Sequence, residues 1–317
     1  METIMINIIY ASDNKTGGWV TFTYHLTRAL DAVGEPWRLL KINPTGRSGA
    51  QDFGYGLEFY NASIEDALAL PGVTLISAAA KQYAEPVGVL LEYGARLVLH
   101  DPTELKAGLA GAKVTDPWTI RRAVAAQVPS TFIRHPYARS ERPAKLPKRQ
   151  GAVSTSRIDF DKHTEIILAA NRLGAKIRIH GFENRLYTKF KIMPEFPEWE
   201  QSLCAYPRTP EAAFNLLLGA KFMVDMSAIK GDGGGTQYTF LEAWDAGAVP
   251  IINAAWVRSK DDMVPSVNCY AAGSPAELRA YARYTGSVED MVFAGEQQLK
   301  KHSPRTIGRQ VMKWLTA

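Results

Sequence analysis

Residues 230–252 read KGDGGGTQYTFLEAWDAGAVPII, in which a glycine run precedes a helical pattern over 236–247 and a strand pattern that begins at Val249. Gly247 is placed to end the helix, because a glycine after the last helical residue is a common C-terminal cap. Strands and helices in alternation imply a mostly parallel sheet. This stretch therefore predicts an α/β fold.

The same alternation extends over the rest of the chain. Strand patterns occur at 4–10, 37–42, 73–77, 96–100, 130–134, 151–156, 175–180 and 221–226, and helical patterns at 20–33, 80–92, 161–173, 210–219, 275–284 and 287–301. Residues 136–149 (PYARSERPAKLPKR) contain three prolines and several basic residues, which break both periodicities. We expect a linker there, between two Rossmann-like domains over 1–140 and 148–303, with a cleft between them and a final helix over 304–317.

Composition narrows the class of protein. The 317 residues fit two domains of about 150 residues each, and 46% hydrophobic residues allow both to bury a core. Cys204 and Cys269 lie far apart without a CxxC motif, which argues against a disulfide framework or structural zinc. Apolar stretches are short and no signal peptide is evident, so we expect a cytoplasmic protein without a membrane partner. The net charge of +5 favours acidic partners.

Three segments carry candidate chemistry. Gly17 and Gly18 follow the first strand and begin the first helix, where backbone amides can approach a phosphate or a sugar, although a plain tight turn explains them too. Arg157 and Lys162 follow the first strand of the second half and can converge on one diphosphate; solvated basic residues are the alternative.

The third segment is the most specific. Free amides at the N-terminus of the 236–247 helix can surround an anion or sugar hydroxyls, and Glu242 can accept from both hydroxyls of a ribose. The predicted ligand-binding residues here are Gly234, Gly235, Thr236, Gln237 and Glu242. A structural glycine loop with a solvated glutamate is the competing interpretation.

These motifs resemble those of a known enzyme family. The segment YTFLEAWDAGAVPI at 238–251 is similar to the LEAxAxGxPVI block of retaining GT-B glycosyltransferases, and Arg157 with Lys162 resembles their diphosphate clamp. Gly234 stands eight residues before Glu242, where that family usually has the first glutamate of an E-x7-E motif. Within the family, the chain resembles the DNA α-glucosyltransferases of T-even bacteriophages.

The resemblance implies a fold, a donor and a mechanism. It implies a GT-B fold whose last helix crosses back to the first domain, and transfer of a sugar from a UDP-sugar, with retention and without a tightly bound cofactor or a divalent metal. Arg157 and Lys162 would hold the diphosphate and Glu242 the ribose. His100 and Asp101, which end a strand, would contact the sugar or the incoming hydroxyl, or form a structural pair; their separate roles stay open.

The resemblance also implies duplex DNA as the partner, with a hydroxymethylated pyrimidine as the acceptor and no obligate protein partner. Basic residues that could neutralise DNA phosphates are Arg121, Arg122, Arg139, Arg142 and Lys145, and Tyr55, Tyr60, Tyr83 or Trp118 could stack on a flipped base. Ordinary solvated surface groups are the alternative for the basic residues. A glycan, protein or small-molecule acceptor and a non-enzymatic nucleotide-binding module remain rival functions.

Overall fold

The computed structural model describes residues 4–14, 17–43, 50–52, 54–101, 104, 114–199, 206–207, 209–228, 234–257 and 262–317. The chain divides into two compact units. The first unit comprises Met1–Ala138 with Lys301–Ala317, and the second comprises Arg139–Lys300. The domain limits expected from the sequence, 1–140, 148–303 and 304–317, remain predictions.

The first unit is built on one twisted sheet. Its strands are β1 (Ile6–Ala11), β2 (Trp37–Ile42), β3 (Ala50–Asp52), β4 (Glu58–Ala62), β5 (Val73–Ala79), β6 (Arg96–Leu99), β7 (Trp118–Thr119) and β8 (Thr131–Phe132). Its helices are α1 (Gly18–Asp31), α2 (Ile64–Ala69), α3 (Ala84–Glu92) and α4 (Arg122–Ala125). The strand order is β3-β4-β2-β1-β5-β6-β7-β8, and every described pair is parallel except β3 with β4.

The second unit repeats this architecture on a smaller scale. Its strands are β9 (Ala152–Ser154), β10 (Ile177–Ile179), β11 (Phe222–Asp225), β12 (Val249–Asn253) and β13 (Tyr270–Ala272), in the order β10-β9-β11-β12-β13, all parallel. Its helices are α5 (Thr164–Arg172), α6 (Arg185–Tyr187), α7 (Pro210–Leu217), α8 (Tyr238–Ala246), α9 (Pro275–Ala282) and α10 (Glu289–Lys300). The predicted α/β alternation is confirmed.

The central strands are largely apolar along their whole length because they are fully buried. All six residues of β1 (INIIYA) are buried, as are all five of β12 (VPIIN), because helices cover both faces of a parallel sheet. Several short elements were not predicted from the sequence: strands β3, β4, β7 and β13, helices α2, α4 and α6, and the turn of π-helix over Thr188–Ile192. Such segments are too short to show the hydrophobic periodicity from which helices and strands are predicted.

Each sheet contains a switch point, where successive connections leave in opposite directions along the sheet. In the first unit the switch point lies between β1 and β5, and in the second it lies between β9 and β11. Ligands of open α/β sheets bind outside the carboxyl ends of the strands at such points. The fold therefore marks one candidate ligand position in each unit.

The last helix, α11 (Pro304–Leu315), belongs to the first unit and packs on α1. Gly308 allows the close approach, since a Cβ atom there would lie 2.3 Å from the carbonyl oxygen of Ala29. Trp314 Nε1 donates to the Asp116 carbonyl at 3.0 Å and its ring lies 6.0 Å from that of Trp118. The expected crossing of the final helix back to the first unit is confirmed.

Candidate functional site

Lys162 is the central cation at the switch point of the second unit. It lies between β9 and α5, is almost fully buried, and its Nζ donates to Ser227 Oγ at 2.7 Å and to Gln237 Oε1 at 3.0 Å. Two of the three ammonium hydrogens are thus used by neutral oxygens. Within the described residues, the third hydrogen remains for an acceptor such as a phosphate oxygen.

Asp225, at the end of β11, is the fully buried counter-charge of this site. Its carboxylate accepts from the hydroxyls of Ser156 at 2.7 Å and Thr239 at 2.7 Å, and from both the amide (2.9 Å) and the hydroxyl of Ser227. Burial raises the pKa of Asp225, but the charge of Lys162 and these hydrogen bonds outweigh it, so the pKa is lowered overall. Asp225 therefore stays ionised and holds Ser227, which in turn holds Lys162.

Glu242 lies one turn into α8, and among the described residues no side chain or amide donates a hydrogen bond to its carboxyl. Burial, followed by the negative charges of Asp225 and Asp245, raises the pKa of Glu242 to about 7. An unpartnered carboxyl of this kind gains most from a ligand that donates hydrogen bonds. The two hydroxyls of a ribose provide such donors.

The segment before α8 offers further donors. Gly234 and Gly235 have φ angles of 85° and 101°, which favour glycine, and Trp256 Nε1 holds the Gly235 carbonyl at 2.8 Å. Thr236 is buried, and Gln237 is the N-cap residue of α8. The Nε2 atom of Gln237 is buried without a hydrogen-bond partner in the described part of the chain. Such an atom is costly unless a ligand accepts from it.

Arg157 is engaged differently from Lys162. Its guanidinium, 43% exposed, pairs with Asp159 at 2.8 Å and with Asp161 at 3.3 Å. A diphosphate would have to compete with these two carboxylates for it. Of the two residues predicted to bind the diphosphate, Lys162 is held in place by neutral oxygens, whereas the charge of Arg157 is already neutralised by carboxylates.

The first unit carries Gly17 and Gly18 at the start of α1. Gly17 is the N-cap residue with φ 92°, and a Cβ atom at Gly18 would meet no described atom within 4 Å. The glycine at 17 is thus required by backbone conformation, whereas Gly18 borders open space. Residues 231–233, which belong to the predicted glycine run of the second unit, lie outside the described residues.

His100 follows β6 and is held by three contacts. Its Nε2 lies 2.8 Å from the Ser77 carbonyl, its amide donates to Glu104 Oε2 at 2.8 Å, and its ring packs edge-on against Phe22 at 4.8 Å. Burial lowers the pKa of His100 to about 4. The imidazole is therefore neutral at physiological pH, and because a carbonyl can only accept, its proton lies on Nε2 and its lone pair on Nδ1.

Glu104 was missed by the sequence patterns. Besides the His100 amide, it accepts from Trp19 Nε1 at 3.1 Å, and burial raises its pKa well above the usual range. Asp101 lies next to His100 and is partly buried. Glu104 thus orients the His100–Asp101 turn, a role that no local motif signals.

Two of the basic residues expected at DNA have structural partners instead. Arg139 Nε donates to the fully buried Asp245 at 2.8 Å, and Arg142 donates to Glu296 Oε1 at 3.0 Å and to the Asp245 carbonyl at 2.5 Å. These contacts tie the linker to α8 and α10 within the second unit. Because both guanidinium groups are already paired, their charge does not support a DNA contact at Arg139 or Arg142.

The other residues expected to contact DNA, basic and aromatic, differ in how exposed they are. Arg122 lies 4.5 Å from the Phe132 ring and Lys145 is exposed, whereas Arg121 is partly buried. Trp118 and Tyr83 are buried in the first unit, with 0% and 3% exposure, so the expectation that they could stack on a flipped base is wrong. Tyr60 is 57% exposed and Tyr55 is partly buried.

Among the described residues, no group of three or more His, Cys, Asp or Glu side chains could hold a metal ion. Within the same part of the chain, none of the helices is long and apolar enough to cross a membrane.

No protein-family model matches the chain, and no curated protein sequence matches it either. Solved structures match over its full length. HepE of Anabaena, in complex with UDP and glucose, has a TM-score of 0.69 at 12% identity and covers 99% of this chain and 100% of HepE. An α-glucosyltransferase in complex with UDP and a 13-mer DNA containing a central A:G mismatch has a TM-score of 0.70 at 10% identity over 100% of both chains.

This protein has the GT-B fold. The α-glucosyltransferase was also solved with UDP and a 13-mer DNA containing a HMU base, and that structure gives a TM-score of 0.66 at 11% identity over 100% of both chains. The predicted fold class is thereby confirmed, including the return of α11 to the first unit. The resemblance inferred from the 238–251 segment agrees with the full-length structural match.

Proposed function

We propose that the protein is a glycosyltransferase that transfers a sugar from a UDP-sugar. The observation that carries the proposal is the arrangement at the switch point of the second unit. There a fixed Lys162 lies beside Gln237, and within the described part of the chain the Gln237 amide nitrogen and the Glu242 carboxyl have no hydrogen-bond partner. Solved proteins of the GT-B fold that match end to end hold UDP or UDP-glucose.

The residues of the second unit suit a departing nucleoside diphosphate. As the bond between sugar and UDP breaks, negative charge develops on the diphosphate, and a cation that is already in place stabilises it without further reorganisation. Lys162 is such a cation, because Ser227 and Gln237 hold its Nζ. Arg157 would add a second charge only after leaving Asp159 and Asp161. Glu242 would accept the ribose hydroxyls.

In the first unit, we assign Gly17, Gly18, His100 and Asp101 to the transferred sugar and the incoming hydroxyl. A neutral His100 with its lone pair on Nδ1 can accept a hydrogen bond from a sugar hydroxyl. In a front-face route with retention, the departing phosphate takes the proton of the acceptor, and no separate base is needed.

For the acceptor, we propose a hydroxymethylated pyrimidine in duplex DNA. The support is the full-length likeness to an α-glucosyltransferase solved with DNA, together with exposed basic residues such as Arg122 and Lys145. A glycan, a protein or a small molecule is the rival acceptor. Strong, salt-sensitive DNA binding separates the two, since contacts to phosphates release counterions.

The test is transfer by the purified protein. Duplex DNA containing 5-hydroxymethylcytosine or 5-hydroxymethyluracil is incubated with a panel of UDP-sugars, digested to nucleosides and weighed by mass spectrometry. We expect a hexose or pentose increment on one modified base. Release of UDP without modified DNA would contradict the acceptor but retain the glycosyltransferase; no consumption of any UDP-sugar would contradict both and favour a binding module.

A further inference from the structure

The switch point of the first unit holds a charged cluster that the donor site does not use. Asp13 follows β1, Lys41 lies near the end of β2, and Tyr83 lies in the turn of 3-10 helix after β5. The three residues thus come from the carboxyl ends of three adjacent strands, where β1 and β5 flank the switch point. This is the position at which α/β sheets bind their ligands.

The cluster holds one carboxylate oxygen firmly. Lys41 Nζ donates to Asp13 Oδ1 at 2.7 Å and lies 2.9 Å from the Tyr83 hydroxyl, which itself donates to Asp13 Oδ1 at 2.7 Å. Lys41 is 5% exposed at its side chain, whereas Asp13 is 66% exposed. Both strong donors therefore meet the same oxygen, and the carboxylate presents its other side to solvent.

The charge state of the cluster is well defined. Hydrogen bonds from Lys41, Tyr83 and Gln82, together with the charge of Lys41, outweigh the effect of burial and lower the pKa of Asp13. The carboxylate is therefore ionised at neutral pH and acts as a hydrogen-bond acceptor, not as a reservoir for protons. An ionised carboxylate can only accept hydrogen bonds, so its exposed oxygen suits a group that donates them, such as a hydroxyl or amino group, and offers no donor to a diphosphate oxygen.

A purely structural role explains the cluster less well. Burying an ammonium group costs several kcal/mol, and an apolar residue of similar size at the same place is often neutral or stabilising. This lysine lies at the carboxyl edge of the sheet, where it orients an exposed carboxylate. Its position on β2, one strand away from the switch point, gives it access to Asp13 and Tyr83 together.

We propose that Asp13 binds the acceptor substrate: its carboxylate, oriented by Lys41 and Tyr83, accepts a hydrogen bond from a hydroxyl or amino group of the acceptor. Lys41 and Tyr83 are positioning residues that act through Asp13. The inference rests on the proposed function, in which the second unit holds the UDP-sugar. It assigns to the first unit an acceptor contact separate from His100 and Asp101.

The experiment compares Asp13→Asn and Tyr83→Phe with the wild-type protein. Steady-state rates are measured with UDP-glucose and duplex DNA containing 5-hydroxymethylcytosine, or with the donor and acceptor that the wild-type protein uses in the panel above. Hydrolysis of the UDP-sugar without acceptor is measured in parallel, and thermal melting reports folding. Asp31→Asn is the matched control, because Asp31 is an exposed aspartate at the far end of α1, paired with Arg28.

We expect Asp13→Asn to raise KM for the acceptor about tenfold or more, with donor KM and the hydrolysis rate within about twofold of wild type. Tyr83→Phe should raise the same KM by less, since Lys41 still holds Oδ1. An unchanged acceptor KM in folded Asp13→Asn, or a matching rise in donor KM, would overturn the inference. If the wild-type protein transfers no sugar at all, the proposed function fails instead.

Discussion

Lys162 Nζ donates to the side-chain carbonyl of Gln237 at 3.0 Å, which joins the cation after β9 to the N-cap residue of the helix that carries Glu242. The bond leaves Gln237 Nε2 buried and without a described partner. Cation, amide and carboxyl are thus prearranged before any ligand binds. Preorganised groups of this kind contribute most to stabilising charge that develops during a reaction.

The first prediction concerns the two clamp residues. Lys162→Met should lower kcat/KM for the UDP-sugar by about 100-fold or more, because it removes the fixed cation that we propose stabilises the developing charge of the diphosphate. Arg157→Met should lower it by about tenfold or less, since Arg157 is exposed and paired with Asp159 and Asp161. Steady-state kinetics with both variants checks the ranking.

Folding must be controlled in this comparison, because Lys162→Met leaves Asp225 without its nearby cation. Lys162→Arg keeps the charge and serves as the partner variant. A folded Lys162→Met protein with wild-type kcat/KM would remove Lys162 from the diphosphate site. Equal losses in the Lys162 and Arg157 variants would show that Arg157 leaves its carboxylates when the donor binds.

The second prediction concerns the pH dependence of donor binding. The pKa of Glu242 is raised to about 7 by burial and by the charges of Asp225 and Asp245, so the carboxyl changes from neutral to ionised near neutral pH. Only the ionised form accepts fully from both ribose hydroxyls. The Kd for UDP-glucose should therefore fall as the pH rises from 6 to 8, as measured by calorimetry. Glu242→Gln should bind weakly with little pH dependence.

The same pKa predicts a change in stability. When the pKa of a carboxyl is higher in the folded than in the unfolded state, the protein loses stability as the pH rises from the unfolded-state pKa through the folded-state pKa. Glu242→Gln should therefore raise the Tm of the free protein at pH 8 and change it little at pH 5. A lower Tm of this variant at pH 8 would show that Glu242 has a partner there.

The third prediction concerns Arg142 and the buried Asp245. Arg142→Ala removes donors to Glu296 and to the Asp245 carbonyl, and should lower the free energy of unfolding by about 1–3 kcal/mol. The salt dependence of DNA binding should not change, because this guanidinium is already paired. Lys145→Ala, at an exposed lysine, is the contrasting variant: it should leave the Tm unchanged and reduce the salt slope by about one if Lys145 meets a phosphate.

The fourth prediction concerns the return of α11 to the first unit. Gly308→Ala should destabilise the protein by about 1–3 kcal/mol, because the added Cβ atom would meet the Ala29 carbonyl oxygen at 2.3 Å. Gly88→Ala is the matched control, since Gly88 lies inside α3 and a Cβ atom there meets nothing within 4 Å. That exchange should stabilise by about 0.5–1 kcal/mol. Urea unfolding of both variants measures the difference.

Much of the fold, and several residues of the candidate donor site, could be predicted from local patterns. Lys162 and Glu242 were proposed from the sequence because strand ends and helix starts in an α/β unit bring such residues to the edge of the sheet where ligands bind. Asp225 gave a weaker signal, as a single acid at the end of the apolar strand FMVD. Its partners Ser156 and Thr239 gave none, since they lie 69 and 14 residues away.

The sequence by itself determined the alternation of strands and helices, the division into two α/β halves and the glycines at which the backbone needs positive φ. These features depend on periodicity and on residues within a few positions of one another. Only the tertiary structure decided which positive charges are available to a ligand. Among the described residues, Lys162 makes two hydrogen bonds to neutral oxygens and no ion pair, whereas Arg157, Arg139 and Arg142 are paired with carboxylates. The tertiary structure also joined Asp13, Lys41 and Tyr83 at one edge. The physical reason is that burial and electrostatic pairing depend on distances across the fold, which local patterns do not contain.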